Sequence, residues 1–106
     1  MDAIEFVVRG ADGYIRRGMF EDINGQAAIN VGNGDDVSIN IRRYQAVAYT
    51  REGEVLVIEL ADGRALRLRG FFEGENDLFL SADGALTEVA LSEHAGGVDA
   101  VYQDAQ

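Results

Sequence analysis

One string of residues has the composition of an ion-binding loop, Gly32-Asn33-Gly34-Asp35-Asp36-Val37-Ser38-Ile39. It approaches the calcium-binding nonapeptide G-G-x-G-x-D-x-U-x, but Val31 replaces its first glycine and Ser38 replaces its large aliphatic residue. Calcium takes about six to eight oxygen ligands, and a single copy of the motif supplies too few. Adjacent carboxylates such as Asp35 and Asp36 could in principle act as an acid–base pair, but they point to opposite faces of a strand, which disfavours a shared site. The string therefore favours a tight polar turn over a calcium site.

The other polar residues give no catalytic arrangement. His94 is the only histidine, and the three candidate nucleophiles Ser38, Ser81 and Ser92 have no histidine beside them in a folded segment. No glycine-rich phosphate loop falls between a strand and a helix. We therefore predict that the protein is not an enzyme, with no catalytic, cofactor-binding or metal-binding residues and no cofactor.

The charge balance narrows the range of partners. The 106 residues include 19 acidic and nine basic side chains, which gives a net charge of −10. Nucleic acids and anionic membranes both attract basic surfaces, so neither is predicted as a partner, and membrane insertion is not predicted. The chain has no cysteine, which excludes disulfides and thiol chemistry. Its length suits one domain with its own core.

The clearest structural pattern is a hairpin over Val55–Arg69. Leu56 and Ile58 share one face of the first strand, because side chains alternate along a strand. A three-residue loop at residues 61–63 pairs Ile58 with Leu66 and Leu56 with Leu68, whereas a two-residue loop would set charges against the apolar row. The sequence thus predicts a type I turn with Gly63 in the left-handed region.

Ala-Asp-Gly recurs at residues 11–13 and 82–84 and predicts two further hairpins, Ile4–Arg9 with Tyr14–Phe20 and Asp77–Ser81 with Ala85–Leu91. The register of the first is ambiguous, and the third is predicted to pair Leu80 with Leu86 and Phe79 with Thr87. Further strands are predicted over Ala27–Val31, Val37–Ile41 and Tyr44–Thr50. The fold class is all-β, a single antiparallel β-sandwich or small barrel of about seven to nine short strands.

The alternation of apolar and polar residues that predicts strands weakens after Leu91. We predict a β-rich domain over residues 1–91 and a flexible linker over residues 92–106, which contain Gly96-Gly97 and several acidic side chains. Phe71 and Phe72 are predicted to face opposite sides of a strand. Edge packing is the favoured interpretation of the more exposed ring, and a contact surface is the alternative.

Several strings, kept in order, carry a resemblance that covers roughly residues 3–91. They are Ala3–Arg9, Val31–Ile41, Leu60–Arg64, Arg69–Phe72 and Leu78–Val89. Together they resemble the prefix-like N-terminal domain of the biofilm-associated-protein family of giant bacterial surface adhesins.

The resemblance implies a role in biofilm formation and cell adhesion. Proteins of this family are secreted by the type I route without an N-terminal signal peptide, and the domain precedes a linker and many immunoglobulin-like repeats. The implied location is the cell surface or the extracellular space, and some giant adhesins retain their N-terminus at the outer membrane. The implied partners are other bacterial surface or matrix components, or the secretion and outer-membrane machinery. The family offers no catalytic residues, and the Ala-Ala-Gly cleavage motif of some giant adhesins is not found here.

Two alternatives remain open from the sequence. One is a small calcium- or ligand-binding β-domain. The other is self-association through an exposed edge strand such as Val37–Ile41.

Overall fold

The computed structural model describes residues 4–20, 26–84, 86–94 and 97–104. Short 3₁₀ turns occur at Arg43–Gln45, Phe71–Glu73 and Ala82–Gly84. Within the four described ranges, no helix has the length and apolar character needed to cross a membrane. The strands are β1 (Ile4–Arg9), β2 (Ile15–Phe20), β3 (Gln26–Asn30), β4 (Asp36–Ile39), β5 (Ala46–Glu52), β6 (Val55–Leu60), β7 (Ala65–Arg69), β8 (Asp77–Leu80), β9 (Thr87–His94) and β10 (Gly97–Asp104).

All ten strands belong to one sheet that curls into a nearly closed barrel, in the order β2-β1-β4-β8-β9-β10-β5-β6-β7-β3. The predicted all-β class is confirmed. The prediction of purely antiparallel pairing is wrong, because β3 pairs with β7 and β4 pairs with β8 in parallel. The hairpin turns predict only pairings between successive strands, and these two pairings join strands that are distant in the chain.

The edge strands β2 and β3 face each other across the opening of the barrel. Arg16 of β2 bridges them, since its Nη2 donates to the carbonyl oxygen of Asn30 at 3.0 Å. The prediction that Val37–Ile41 is an exposed edge is wrong. β4 lies between β1 and β8, and Val37 and Ile39 are fully buried. Self-association through that strand therefore has no free edge to use.

The predicted register of the central hairpin is confirmed. β6 and β7 pair Leu56 with Leu68 and Ile58 with Leu66. The amide of Leu60 donates to the carbonyl oxygen of Arg64 at 2.8 Å, and Gly63 has a φ of 92°. These apolar side chains form the centre of the core, and the four paired residues are essentially inaccessible to water.

Gly63→Val tests this turn. A Cβ at this position meets no atom within 4 Å, so the cost comes only from the left-handed backbone. We expect the free energy of unfolding to fall by about 1–2 kcal/mol, measured by urea denaturation. Gly63→Asn is the control and should lie close to wild type, because asparagine tolerates this conformation. Equal stability of the valine variant would show that the turn is misassigned.

The other two predicted hairpins form, with one change of register. β1 pairs with β2 from Ile4 opposite Phe20, which resolves the ambiguity of the first hairpin. In the third, Leu80 lies opposite Thr87 and Phe79 opposite Glu88, so the predicted pairing is one residue off. The 3₁₀ turn at residues 82–84 lengthens the connection beyond the three-residue loop that the sequence suggested.

The segment predicted as a linker contains regular structure. β9 continues past residue 91 to His94, and β10 pairs with it along Gly97–Asp104. The domain boundary predicted at residue 91 therefore falls inside a strand. Val98, Ala100 and Tyr102 alternate with exposed residues and are half-buried against the core, an alternation that the acidic composition of this segment obscured. Residues 95–96 and 105–106 lie outside the described residues.

Candidate functional site

The glycine- and aspartate-rich string forms the connection between β3 and β4. The Oδ2 atom of Asp35 accepts a hydrogen bond from the amide of Gly32 at 2.7 Å and one from Nη2 of Arg16 at 3.4 Å. Asp35 is 9% exposed and forms an ion pair with Arg16. Its carboxylate thus closes the turn and, through Arg16, holds the edge strand β2 against it.

A second set of hydrogen bonds joins this turn to the segment before β8, and we call Asn33, Asp35, Glu75 and Asn76 the polar latch. Oδ1 of Asn76 accepts from the amide of Asp35 at 2.9 Å, and Oδ1 of Asn33 accepts from the amide of Glu75 at 3.0 Å. Nδ2 of Asn76 also donates to the carbonyl oxygen of Phe71 at 2.8 Å. The polar latch fixes the start of the parallel pair β4 and β8.

The calcium hypothesis depends on where the carboxylates of this string lie. Within the described ranges, no group of three or more His, Cys, Asp or Glu side chains is placed to hold a metal ion. Asp35 is engaged with Gly32 and Arg16, whereas Asp36 lies beside Asp77 at the start of the neighbouring strand β8. The two adjacent carboxylates therefore have different partners.

Asp36 and Asp77 are the paired carboxylates of this structure. They lie side by side at the starts of β4 and β8. Partial burial and, next, the charge and hydrogen bond of Asp77 raise the pKa of Asp36 above its ordinary value. The sequence does not predict this pair of carboxylates, because nothing in the local pattern indicates parallel pairing of these strands. Two partly solvated carboxyls can share a proton, but such a pair alone is not a catalytic site.

Asp36→Asn should stabilise the protein at neutral pH. Because the pKa of Asp36 is raised on folding, the folded state binds more protons above pH 3.8, and stability falls as the pH rises through the folded pKa. Removing the charge relieves like-charge repulsion of about 0.2–1 kcal/mol between neighbouring strands. Thermal melts at pH 7 should show a higher midpoint than wild type, with a smaller gain at pH 3. A lower midpoint at pH 7 would mean that the charged form of Asp36 is favoured.

The candidate nucleophiles lie apart. Ser38 is in β4 opposite Phe79, Ser81 follows β8, and Ser92 is exposed in β9. The backbone of His94 ends β9, and its side chain lies outside the described residues. In the described part of the chain, these three serines therefore lie at separate places in the sheet and do not form one site.

Phe71 and Phe72 lie in a 3₁₀ turn and not in a strand, so the prediction that they face opposite sides of a strand is wrong. Phe71 is buried, and Phe72 packs edge-on against it with ring centroids 5.3 Å apart. The Arg51 guanidinium carbon lies 4.7 Å from the centroid of the half-buried Phe72 ring. Nη1 of Arg51 also donates to both carboxylate oxygens of Glu93, at 2.7 and 2.9 Å.

A cleft of about 560 Å³ opens beside these aromatic rings, between the 3₁₀ turn, residues 74–77 and β9. We call it the sheet cleft. Phe72 and Leu91 contribute apolar surface, and Glu75, Asp77 and Glu93 contribute carboxylates. A contact surface at the two phenylalanines is the alternative interpretation of their sequence, but the sequence does not predict that β9 lies beside them.

No protein family, curated protein or solved structure matches this chain. The resemblance over residues 3–91 therefore stays a prediction.

Proposed function

We propose that this chain is a non-catalytic structural and interaction module of a large, type I-secreted biofilm adhesin, acting at the cell surface in anchoring or adhesion. One observation carries the proposal: several of the strings that resemble the adhesin domain pack together. Val31–Ile41 forms the β3–β4 turn and β4, and Leu78–Val89 supplies β8, which pairs with β4. The polar latch joins the same region to the turn that begins at Phe71. Strings that are generic one by one thus build one connected part of the fold.

The polar groups of this region support a structural role. The Asp35 carboxylate and the Asn33 and Asn76 amides bind backbone groups of the turn and of residues 71–75. Such hydrogen bonds satisfy buried donors and acceptors and fix one conformation. An acidic module without cysteine suits a protein exported by the type I route that the resemblance implies.

Surface exposure provides the test. Antibodies raised against the purified chain should label intact cells of the producing bacterium in a biofilm, and an in-frame deletion of these 106 residues should reduce attached biomass. The deletion strain is the control for labelling. A signal confined to lysed cells, or full attachment by the deletion strain, would contradict the proposal.

The calcium-binding alternative makes a different prediction. A ligand that binds only the folded state raises the melting midpoint by mass action. We expect millimolar calcium to leave the midpoint of the wild-type chain unchanged relative to the same concentration of magnesium. A calcium-specific rise that disappears in Asp35→Asn would favour an ion-binding domain instead.

A further inference from the structure

One edge of β9 lies beside the sheet cleft. β8 pairs with β9 only from Leu78 opposite Val89 to Leu80 opposite Thr87, whereas β10 pairs with β9 along its length. Among the described strands, none pairs with the other edge of residues 91–94. An unpaired strand edge presents N–H and C=O groups that can accept a further strand.

The polar latch keeps this stretch open. To continue the ladder, residues 74–76 would have to run beside β9. Instead, Glu75 and Asn76 are bonded on the opposite side to Asn33 and Asp35, and the carbonyl oxygen of Glu75 accepts from the amide of Gly34 at 3.1 Å. The chain is therefore held towards β4, and the sheet cleft occupies the vacated place beside β9.

The lining of the sheet cleft favours a cationic occupant. Its carboxylates are Glu75, Asp77 and Glu93, and among these three described side chains only Glu93 forms an ion pair, with Arg51. Arg51 also places its guanidinium on the face of Phe72, so this end of the sheet cleft already accommodates an arginine against an aromatic ring and a carboxylate. A further cation would meet an excess of negative charge.

We propose that the sheet cleft receives an extended, basic segment of another polypeptide, which adds to β9 as a short strand and places a lysine or arginine among the carboxylates. The free backbone edge specifies a polypeptide, and the charge specifies a basic one. The free stretch of β9 accommodates a segment of about four residues, or roughly 13 Å at 3.3 Å per residue. This inference uses the geometry of the sheet cleft alone and does not depend on the adhesin role.

The probe is a fluorescent hexapeptide of alternating valine and lysine, titrated with the full chain at low salt and followed by anisotropy. We expect saturable binding and loss of binding when glutamate replaces lysine. Two further peptides carry N-methyl groups on one or the other alternate set of residues. Only methylation of the amides that face β9 should abolish binding, because only those amides donate hydrogen bonds to the strand edge. Absence of saturable binding, or equal binding by both methylated peptides, would overturn the proposal.

Charge-reversal variants locate the site. Glu75→Lys should weaken binding of the valine–lysine peptide roughly tenfold, since it replaces an attractive charge with a repulsive one. Glu59→Lys, an equally exposed change on β6 away from the sheet cleft, should leave the affinity unchanged. Amide resonances of residues 91–94 should shift on binding. Equal affinities of the two variants would contradict the location, whereas the result of cell-surface labelling is independent of this outcome.

Discussion

Ile58→Ala should lower the free energy of unfolding by about 2–5 kcal/mol, the range found when a buried aliphatic side chain is truncated and leaves a cavity. Ile58 is completely buried in β6 and lies opposite Leu66, which is 1% exposed. Both neighbouring strands of β6 constrain the surrounding backbone, so the cavity has little freedom to collapse. Urea denaturation followed by circular dichroism measures the change, and Leu66→Ala should give a loss of similar size.

Val55→Ala is the matched control for this prediction. Val55 lies in the same strand but is only half-buried, so less apolar surface returns to water when it is truncated. We expect a loss below about 1 kcal/mol. If Ile58→Ala lowers the free energy of unfolding no more than Val55→Ala does, the assignment of Leu56 and Ile58 to the core is contradicted.

Gly70→Ala should destabilise the protein by about 2–4 kcal/mol, through two effects that add. Gly70 has a φ of 84°, where a side chain is strained. A Cβ there would also lie 2.5 Å from the carbonyl oxygen of Val31, which is backbone and cannot move aside alone. The amide of Val31 donates to the carbonyl oxygen of Arg69 at 2.8 Å, so displacing this contact disturbs the junction of β3 with β7.

Gly63→Ala separates the two effects. Gly63 has a similar φ of 92°, but a Cβ there meets nothing within 4 Å. The free energy of unfolding of Gly63→Ala should therefore fall only by the cost of backbone strain, about 1–2 kcal/mol. The difference between the two variants in urea denaturation reports the contact with Val31. Equal losses would show that the backbone at Val31 relaxes without cost.

The sequence predicted those parts of the fold that depend on neighbouring residues. The register of the central hairpin followed from the alternation of Leu56 and Ile58 and from the left-handed glycine, and the structure confirms it. The 3₁₀ turn at residues 82–84 lengthens the loop of the third hairpin and shifts its register by one residue. The sequence did not predict this shift, because the turn has no distinct local signature. Local patterns determine alternation and turns well, but they determine loop length less well.

Long-range pairing could not be predicted from these patterns. β4 has the alternation of any half-buried strand, and only its parallel pairing with β8 makes it internal and brings Asp36 beside Asp77. The same applies to the sheet cleft, whose walls come from Phe72, Glu75 and Leu91. The turn at Asp35 was recognised as polar and tight, but its partners Arg16 and Asn76 are distant in sequence.

The polar latch, the paired carboxylates and the sheet cleft all depend on one arrangement. In it, β8 runs parallel to β4, and the segment that precedes β8 diverges from β9. Nuclear Overhauser effects between backbone protons of the labelled chain test it directly. We predict contacts between β4 and β8 in the parallel register that aligns Ser38 with Phe79, and none between Asn76 and Leu91. A ladder that continues from Leu78 opposite Val89 to Asn76 opposite Leu91 would close the sheet cleft and contradict this account.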